Sequence, residues 1–254
     1  MRHKLHALLA VPLMVFWGLT VHPASAALPN IDDLDAVFLR NVQDGFVDYD
    51  GVRADPAFRR FIDGISNARE SDLEEPGARL AFLINAYNAL AIQGVLDGYS
   101  PASRSGRRKF FKRREYTLMG NSLTLEKLEQ AHIRPLGEPR AHFAISCAAI
   151  SCPRLARSAF EPETLDAQLD AVTRAFANDP TRNRFDVERR VAFLSSLFEQ
   201  HAADFARAAG STQRFLARYV DQPAVAELLA RDGFEVRFVE RDWDLNGVYR
   251  GRPE

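Results

Sequence analysis

Residues 142–153 hold both cysteines of the chain and one of its six histidines, in the run HFAISCAAISCP. A cysteine attacks a carbonyl carbon as the thiolate, and a nearby imidazole is a common way to generate that thiolate. Cys147 and His142 are therefore candidates for a nucleophile and its base. We predict a buried strand over 142–145, which would place these two side chains on opposite faces. They would then meet only if the chain turns near Ser146.

The two cysteines have three interpretations. Cys147 could be a nucleophile with a histidine base, or the pair could be two buried free thiols. Alternatively, Cys147 and Cys152 could form a disulfide that closes a tight loop, provided that their Cα atoms come within bonding range. A bonded Cys147 could not attack a substrate unless the bond were a redox switch. All three interpretations remain open from the spacing alone.

Asn85 and Asn88 lie at positions i and i+3 of a segment, residues 78–97, that is apolar nearly all round. They share one face of a helix, and a buried amide requires hydrogen-bond partners. One of them could donate to an oxyanion or hold a catalytic histidine. The alternative is that both tie down neighbouring backbone.

Metal-binding motifs are absent from the sequence. There is no His-Glu-x-x-His, and Cys-x4-Cys with a single histidine is not a standard zinc spacing. We therefore predict no metal ion and no cofactor.

A basic segment at 104–114 is predicted to be a loop and carries seven cationic side chains in eleven residues. Outside the cytoplasm its partner would be an anionic envelope component, and the alternative is a solvated loop. The residues for that contact are Arg107, Arg108, Lys109, Lys112 and Arg113. The whole chain has 33 basic and 34 acidic residues, which excludes a globally basic nucleic-acid binder.

The first 26 residues are typical of a secretory signal. A short positive start precedes an apolar run, and Ala24-Ser25-Ala26 supplies a small-residue cleavage pattern. The run is short for a retained anchor, so we predict cleavage after Ala26, a periplasmic or secreted product and no remaining transmembrane span. Cleavage would remove Arg2 and Lys4 and no acid, leaving a net charge of −3. The histidines that remain are His132, His142 and His201.

The elements predicted to position these residues form a single helix-rich α+β domain with a small sheet. The segment at 78–97 is the central buried helix, because it lacks a polar face. Further helices are predicted at 31–44, 55–69, 124–133, 161–178, 194–208 and 211–220. Short strands are predicted at 189–193 and 236–239.

Several motifs together resemble the family catalogued as domain of unknown function 547. They are the AFLINAYNAL run beginning at Ala81, Glu129 with Arg134-Pro135, the 142–153 segment and Asp242-Trp243-Asp244-Leu245-Asn246. The resemblance runs over residues 46–247 and implies a single folded unit there, in a bacterial member that the signal pattern predicts to be exported. A lead-in helix at 27–45 would precede this domain and a tail at 248–254 would follow it. It implies a shared polar set, which is Asn85, Asn88, Glu129, Arg134, His142 and Cys147. The chain departs from the family pattern at Gln130, where a histidine is common, and at Gln200-His201, where Trp-Tyr is common.

The leading hypothesis from the sequence is a thiol-dependent hydrolase or acyl transferase. Cys147 would attack a carbonyl, His142 would take its proton, and Glu129 or Asn85 would orient the imidazole or donate to the oxyanion. The remaining two of the set, Asn88 and Arg134, would hold the substrate. The alternative is a non-catalytic envelope-binding protein with a Cys147–Cys152 disulfide.

Overall fold

The computed structural model describes residues 28–251, and in this range the chain forms twelve α-helices and eight short strands. The helices are α1 (Ile31–Asn41), α2 (Tyr49–Ala54), α3 (Pro56–Asn67), α4 (Pro76–Leu96), α5 (Arg104–Lys112), α6 (Leu125–Leu128), α7 (Ala141–Ala144), α8 (Leu165–Ala177), α9 (Ser196–Gln200), α10 (Ala202–Ala209), α11 (Thr212–Leu216) and α12 (Pro223–Ala230). The strands are β1 (Val42–Gln43), β2 (Phe46–Asp48), β3 (Tyr116–Leu118), β4 (Asn121–Leu123), β5 (Arg184–Asp186), β6 (Val191–Ser195), β7 (Glu235–Val239) and β8 (Gly247–Val248). The predicted signal segment lies outside the described residues.

The central helix predicted from the sequence is α4. The Glu75 side chain caps its start by accepting from the Ala78 backbone N–H, and Pro76 occupies the first turn, where its missing donor costs nothing. Every side chain from Leu80 to Ile92 is buried. The helix is long and apolar enough to cross a membrane by length and composition, but its side chains are packed inside the protein.

Two hydrophobic cores meet at the short helix α7. Ala141 and Ala144 pack into the core built around α1, α3 and α4. Phe143 packs instead into a second core with side chains of α8, β6 and α9–α12, where its ring contacts those of Phe198 and Phe205. His142 is held at the junction between the two cores, because Ala141 and Ala144 pack into one of them and Phe143 packs into the other.

The strands form three small sheets among the described residues. β1, β2 and β8 form one sheet, in which β2 pairs in parallel with β8 near the C-terminus. β3 and β4 form a hairpin. β6 is central in the third sheet, antiparallel to β5 and parallel to β7. The α+β class with small sheets and a helix-rich single domain is confirmed.

Two predictions of local structure are wrong. The predicted strand at 142–145 is the helix α7, because Phe143 must reach one core while Ala141 and Ala144 reach the other. The predicted basic loop at 104–114 contains the helix α5, whose N-terminus is capped by Ser103 accepting from the Gly106 N–H. Phe110 anchors this helix in the core. The hairpin β3–β4 and the helix α12 were not predicted.

Helix α1 packs in the same core as α4 through Leu34, Val37 and Phe38, all of which are buried. The segment predicted as a lead-in helix at 27–45 therefore contributes side chains to the main core.

Candidate functional site

A cavity of about 460 Å³ gathers four of the six polar residues singled out from the sequence, namely Glu129, Arg134, His142 and Cys147. Residues of α4, α5, α6, α7 and α9 line it, together with the segment between β7 and β8. The lining also includes residues that the sequence did not single out as site residues: Gln130, Gln200, His201, Arg241 and Trp243. This cavity is the candidate functional site.

His142 is oriented by the carboxylate of Asp204 on α10. Its Nε2 lies 3.0 Å from Asp204 Oδ2, and the same oxygen accepts from Arg134 Nε at 2.9 Å. Burial alone would raise the pKa of Asp204, but the hydrogen bonds from Arg134 and His142 lower this pKa to about 2. An ionised carboxylate only accepts, so His142 donates from Nε2–H and, when neutral, keeps Nδ1 as a lone pair.

Glu129 and His201 complete the cluster. Glu129 Oε1 lies 3.8 Å from His142 Nδ1 and 3.6 Å from His201 Nε2. The two imidazole rings stack with their centroids 3.7 Å apart. Nδ1 of each histidine is buried without a hydrogen-bond partner among residues 28–251.

Burial sets the charge states in this cluster. It lowers the pKa of His142 below its ordinary value, against the opposing effect of Asp204. It lowers the pKa of His201 to about 3, helped by the positive charges around it, so both imidazoles are neutral at pH 7. Burial also raises the pKa of Glu129, while the charges of Arg134 and Arg241 act to lower it.

Glu129 reaches the cavity from an irregular turn. Thr124 caps α6 by accepting from the Lys127 N–H. Beyond Leu128 the chain widens into a π-helical turn over Glu129–Ile133. Such turns are frequent at functional sites because they re-aim one side chain out of the regular helical spacing. Arg134 begins the next turn and bonds Asp204.

Asn85 and Asn88 are not among the residues that line the cavity. Asn85 donates to the Phe160 carbonyl and accepts from the Phe160 N–H, at 2.8 and 2.9 Å. Asn88 donates to the Ala144 carbonyl at 2.9 Å and accepts from the Ser146 N–H at 2.8 Å. Both amides tie down backbone, and Asn88 does so between His142 and Cys147.

Cys147 and Cys152 are bonded to each other, with their Cα atoms 5.6 Å apart. The segment Asp242–Asn246 holds the loop that they close: Ile150 donates its N–H to the Asp244 carbonyl, and Ser151 donates to the Asp242 carbonyl. Ala148 adopts a left-handed backbone with φ of +58°, which is uncommon for a residue with a side chain. In this structure the predicted nucleophile is therefore not a free thiol.

Arg241 is a half-buried cation beside the cluster. It donates from Nε to Ser196 Oγ at 2.9 Å and from Nη2 to Gln200 Oε1 at 2.7 Å, so these hydrogen bonds reach neutral oxygens. Burial lowers its pKa. Its guanidinium carbon lies 5.3 Å from the centroid of the Trp243 ring. A guanidinium held this way is oriented to bind an anion in the cavity.

Arg134, predicted to hold the substrate, lines the cavity and pairs with Asp204. Arg241 is the cation of the cavity that the sequence missed. It lies one residue before the Asp242-Trp243 motif, and that proximity was its only signal.

The basic segment lies at one edge of the cavity. Lys112 lines the cavity and pairs with Glu126 at 2.7 Å, while Arg107 lies 4.6 Å from the centroid of the Trp243 ring. Arg108 and Lys109 on α5 and Arg113 just after it are exposed. The structure thus attaches the predicted basic segment to the candidate site.

One donor atom from each of Glu129, His142 and His201 can be chosen so that all three lie within 4.8 Å of one another. Two imidazoles and a carboxylate at this spacing are a ligand set that can hold a metal ion. The sequence missed this set because its members are separated along the chain and match no spacing rule.

Residues 71–177 match the family model described as "Protein of unknown function, DUF547", which confirms the resemblance over this part of the chain. No curated protein and no solved structure matches the chain. The matched segment includes Glu129, His142 and Cys147 but ends before His201 and Arg241. The positions where the chain departs from the family pattern, Gln130 and Gln200-His201, all line the cavity.

Proposed function

We propose that this chain, whose residues 71–177 match the DUF547 family, is an exported hydrolase or acyl transferase acting on a small anionic substrate in the cavity at Glu129, His142 and Arg241. The observation that carries the proposal is the convergence on one cavity of an oriented neutral imidazole and a half-buried cation, Arg241, that makes no direct ion pair with a carboxylate of the described residues. A hydrolytic site for an anionic substrate can use such a pair, a base for the nucleophile and a positive charge to hold the substrate.

His142 is the proposed base. The donor bond from its Nε2 to Asp204 fixes the ring and the tautomer, which leaves Nδ1 to accept a proton. Asp204 would then stabilise the imidazolium that forms, and Arg134 keeps Asp204 in place. Positioned proton transfer of this kind contributes about 10²–10⁴-fold to a rate.

Arg241 is the proposed substrate-binding cation. Ser196 and Gln200 orient its guanidinium, and the faces of Trp243 and Phe111 supply apolar walls to the same cavity. A substrate with a carboxylate or phosphate near its scissile carbonyl fits this arrangement. Lys112, which lines the cavity, and Arg107, which lies over Trp243, would attract such an anion before it binds.

In the disulfide-bonded form the nucleophile would be water. His142 Nδ1 takes a proton from the water, whose oxygen attacks the carbonyl carbon. Collapse of the intermediate breaks the acyl bond, and the leaving group receives the proton from His142. The carboxylic acid product keeps the water oxygen, so the reaction requires no further reactant.

A thiol mechanism is the second candidate, because Cys147 lines the same cavity as His142. It requires a thiol reductant to open the Cys147–Cys152 bond. The Cys147 proton would then pass to His142 and the sulfur would form a thioester, which water hydrolyses. Rates that rise on reduction and vanish in Cys147→Ser would select this mechanism, whereas rates unchanged in Cys147→Ser would select water.

The test uses two esters of matched shape, one carrying a carboxylate and one a neutral amide at the same position. We expect faster cleavage of the anionic ester. Arg241→Gln should reduce kcat/KM for it by about 10–100-fold, the value of a charged hydrogen bond, and leave the neutral ester unaffected. Arg231→Gln is the matched control. Arg231 is an exposed arginine just after α12, it pairs with Glu227, and it does not line the cavity.

Saturable binding of the anionic ester without any turnover would instead support the non-catalytic envelope-binding protein. Equal cleavage of both esters by the wild type and Arg241→Gln would refute the role of Arg241.

Export belongs to the same proposal. A bond between Cys147 and Cys152 is compatible with an oxidising compartment. N-terminal sequencing of the protein recovered from a periplasmic extract or culture medium should begin at Ala27. A product that begins at Met1 and stays with the cytosolic fraction would contradict export.

A further inference from the structure

We propose that Glu129, His142 and His201 bind one divalent transition-metal ion, with zinc as the first choice. The inference deepens the proposed function by naming a cofactor for the same cavity. It is tested by binding, which can succeed or fail independently of any hydrolytic activity.

The distances in the cluster fit a bound ion better than hydrogen bonds. Glu129 Oε1 lies 3.8 Å from His142 Nδ1 and 3.6 Å from His201 Nε2, both beyond a hydrogen bond. Bonds of roughly 2.0–2.1 Å to zinc in a tetrahedron separate neighbouring donor atoms by about 3.3 Å. A bound ion would require these donor atoms to approach each other and one of the two stacked imidazole rings to rotate, because nearly parallel rings cannot both direct their in-plane lone pairs at one ion.

Asp204 provides the outer support that metal-binding histidines usually have. It accepts from His142 Nε2, which leaves the opposite nitrogen, Nδ1, as the lone pair next to Glu129. A carboxylate that receives the remote N–H of a ligating imidazole fixes the ring and strengthens the ligand. Arg134 and Arg207 each donate to Asp204 and hold this carboxylate in turn.

The unpaired nitrogens are the second, independent observation. The side chains of His142 and His201 are only 4% and 8% exposed, and both bury an Nδ1 atom that has no partner among the described residues. A buried polar atom without a partner is costly, and such exceptions require an explanation. For His142 Nδ1 the explanation is direct, because a bound ion would satisfy it.

Glu129 is not paired directly with an arginine or lysine in the described part of the chain, although the charges of Arg134 and Arg241 act on it from farther away. The basic atoms closest to its carboxylate are the two imidazole nitrogens. Two neutral imidazoles and one carboxylate would leave a divalent ion with a residual positive charge. An anionic substrate attracted by this positive charge would then also lie beside Arg241.

The ligand count indicates a catalytic type of centre. Three protein ligands facing a cavity leave at least one position for water or substrate, whereas structural zinc sites are closed by four protein ligands. Two histidines and one carboxylate suit zinc and also Fe²⁺, while oxygen-preferring Mg²⁺ and Ca²⁺ fit poorly. A metal-bound Nδ1 cannot take a proton, so in the metal-loaded protein the ion would supply Lewis acidity and an acidic water in place of the base role of His142.

The test is calorimetric titration of the full mature protein, first treated with a chelator and dialysed, with ZnCl₂ and then with MgCl₂. We expect one zinc equivalent and no magnesium binding. Titration with CoCl₂ should add the visible absorption bands of nitrogen- and oxygen-bound Co²⁺. Circular dichroism before and after chelation should be unchanged, because the cores do not include the ligands.

Variants locate the site. Glu129→Gln and His201→Ala should abolish the zinc isotherm, and Asp204→Asn should weaken it by about 10–100-fold through His142. His132→Ala is the matched control, because His132 follows Glu129 on the same turn but does not line the cavity. It should retain the wild-type isotherm.

Wild-type protein that binds no zinc, or zinc binding that survives in Glu129→Gln and His201→Ala with their fold intact, would overturn the metal site. If ester hydrolysis then persisted in chelated protein, the proposed function would stand without the metal. Zinc binding without hydrolysis of any ester would support the metal site and contradict the proposed hydrolysis.

Discussion

Replacement of Asn88 by alanine should destabilise the protein and also disturb the cavity. Its amide makes two buried hydrogen bonds, to the Ala144 carbonyl and the Ser146 N–H. Truncation leaves both backbone groups buried without partners, and each costs about 1–3 kcal/mol. The expected loss is therefore about 4 kcal/mol, a large part of the stability of a typical domain.

Asn85→Ala is the matched comparison, because Asn85 also makes two buried bonds, both to Phe160, and lies three residues away on α4. Its free-energy loss should be similar, at about 4 kcal/mol. Only Asn88, however, holds the backbone between His142 and Cys147. Zinc affinity and ester hydrolysis should therefore fall in Asn88→Ala and stay near wild type in Asn85→Ala.

The assay is urea unfolding at 25 °C with linear extrapolation, in which an unchanged slope shows that the change is in stability. Site properties are measured on the folded fraction without denaturant. Equal loss of hydrolysis in both variants would refute the positioning role and return Asn85 to a catalytic role. A stability loss below about 1 kcal/mol in both would refute the energetic argument.

Three further predictions concern the stability of the fold. Replacing both Cys147 and Cys152 by alanine should cost on the order of 2 kcal/mol, because the bond closes a loop of only six residues, and a denaturation curve unchanged by this replacement would contradict it. Phe143→Ala should cost about 3–5 kcal/mol in the second core, measured by urea unfolding, and a loss under 1 kcal/mol would count against the packing of α7 there. The charge of Asp179 should stabilise the fold fully above the ordinary carboxyl range and progressively less below it. Burial alone would raise its pKa, but Thr181 and the nearby arginines hold this pKa below its ordinary value. Its contribution is therefore present above about pH 4 and lost as pH falls through the lowered pKa. The stability difference between wild type and Asp179→Asn should accordingly shrink on acidification, and a difference that grows would contradict the sign.

The elements that the sequence predicted well are those whose pattern has one interpretation. Helix α4 is apolar on every face over some twenty residues, which fits only a central buried helix. Helix α7 was missed because its few apolar residues suit a short strand equally well. Contacts with two separate cores decide its conformation, and those contacts involve residues distant in the chain.

The residues of the candidate site also fall into those that the sequence predicted and those that it missed. Glu129, His142 and Cys147 belong to recognisable motifs, and the structure brings all three to one cavity. Asp204 and Arg241 acquire their roles only through contacts made by folding, 62 residues from His142 in the first case. His201 carried a signal in its departure from the family pattern, but a departure does not reveal its partner. The disulfide was one of three open alternatives because spacing does not fix the direction of the side chains.

The most direct test of the account is ester hydrolysis by the wild type, His142→Gln and His132→Gln, measured side by side under identical conditions. Glutamine keeps much of the size and polarity of the histidine side chain but cannot act as a base at neutral pH. The account predicts that kcat/KM for the anionic ester falls by about 10²–10⁴-fold in His142→Gln and is unchanged in His132→Gln. Equal activity in all three proteins would contradict the assignment of the cavity as the active site.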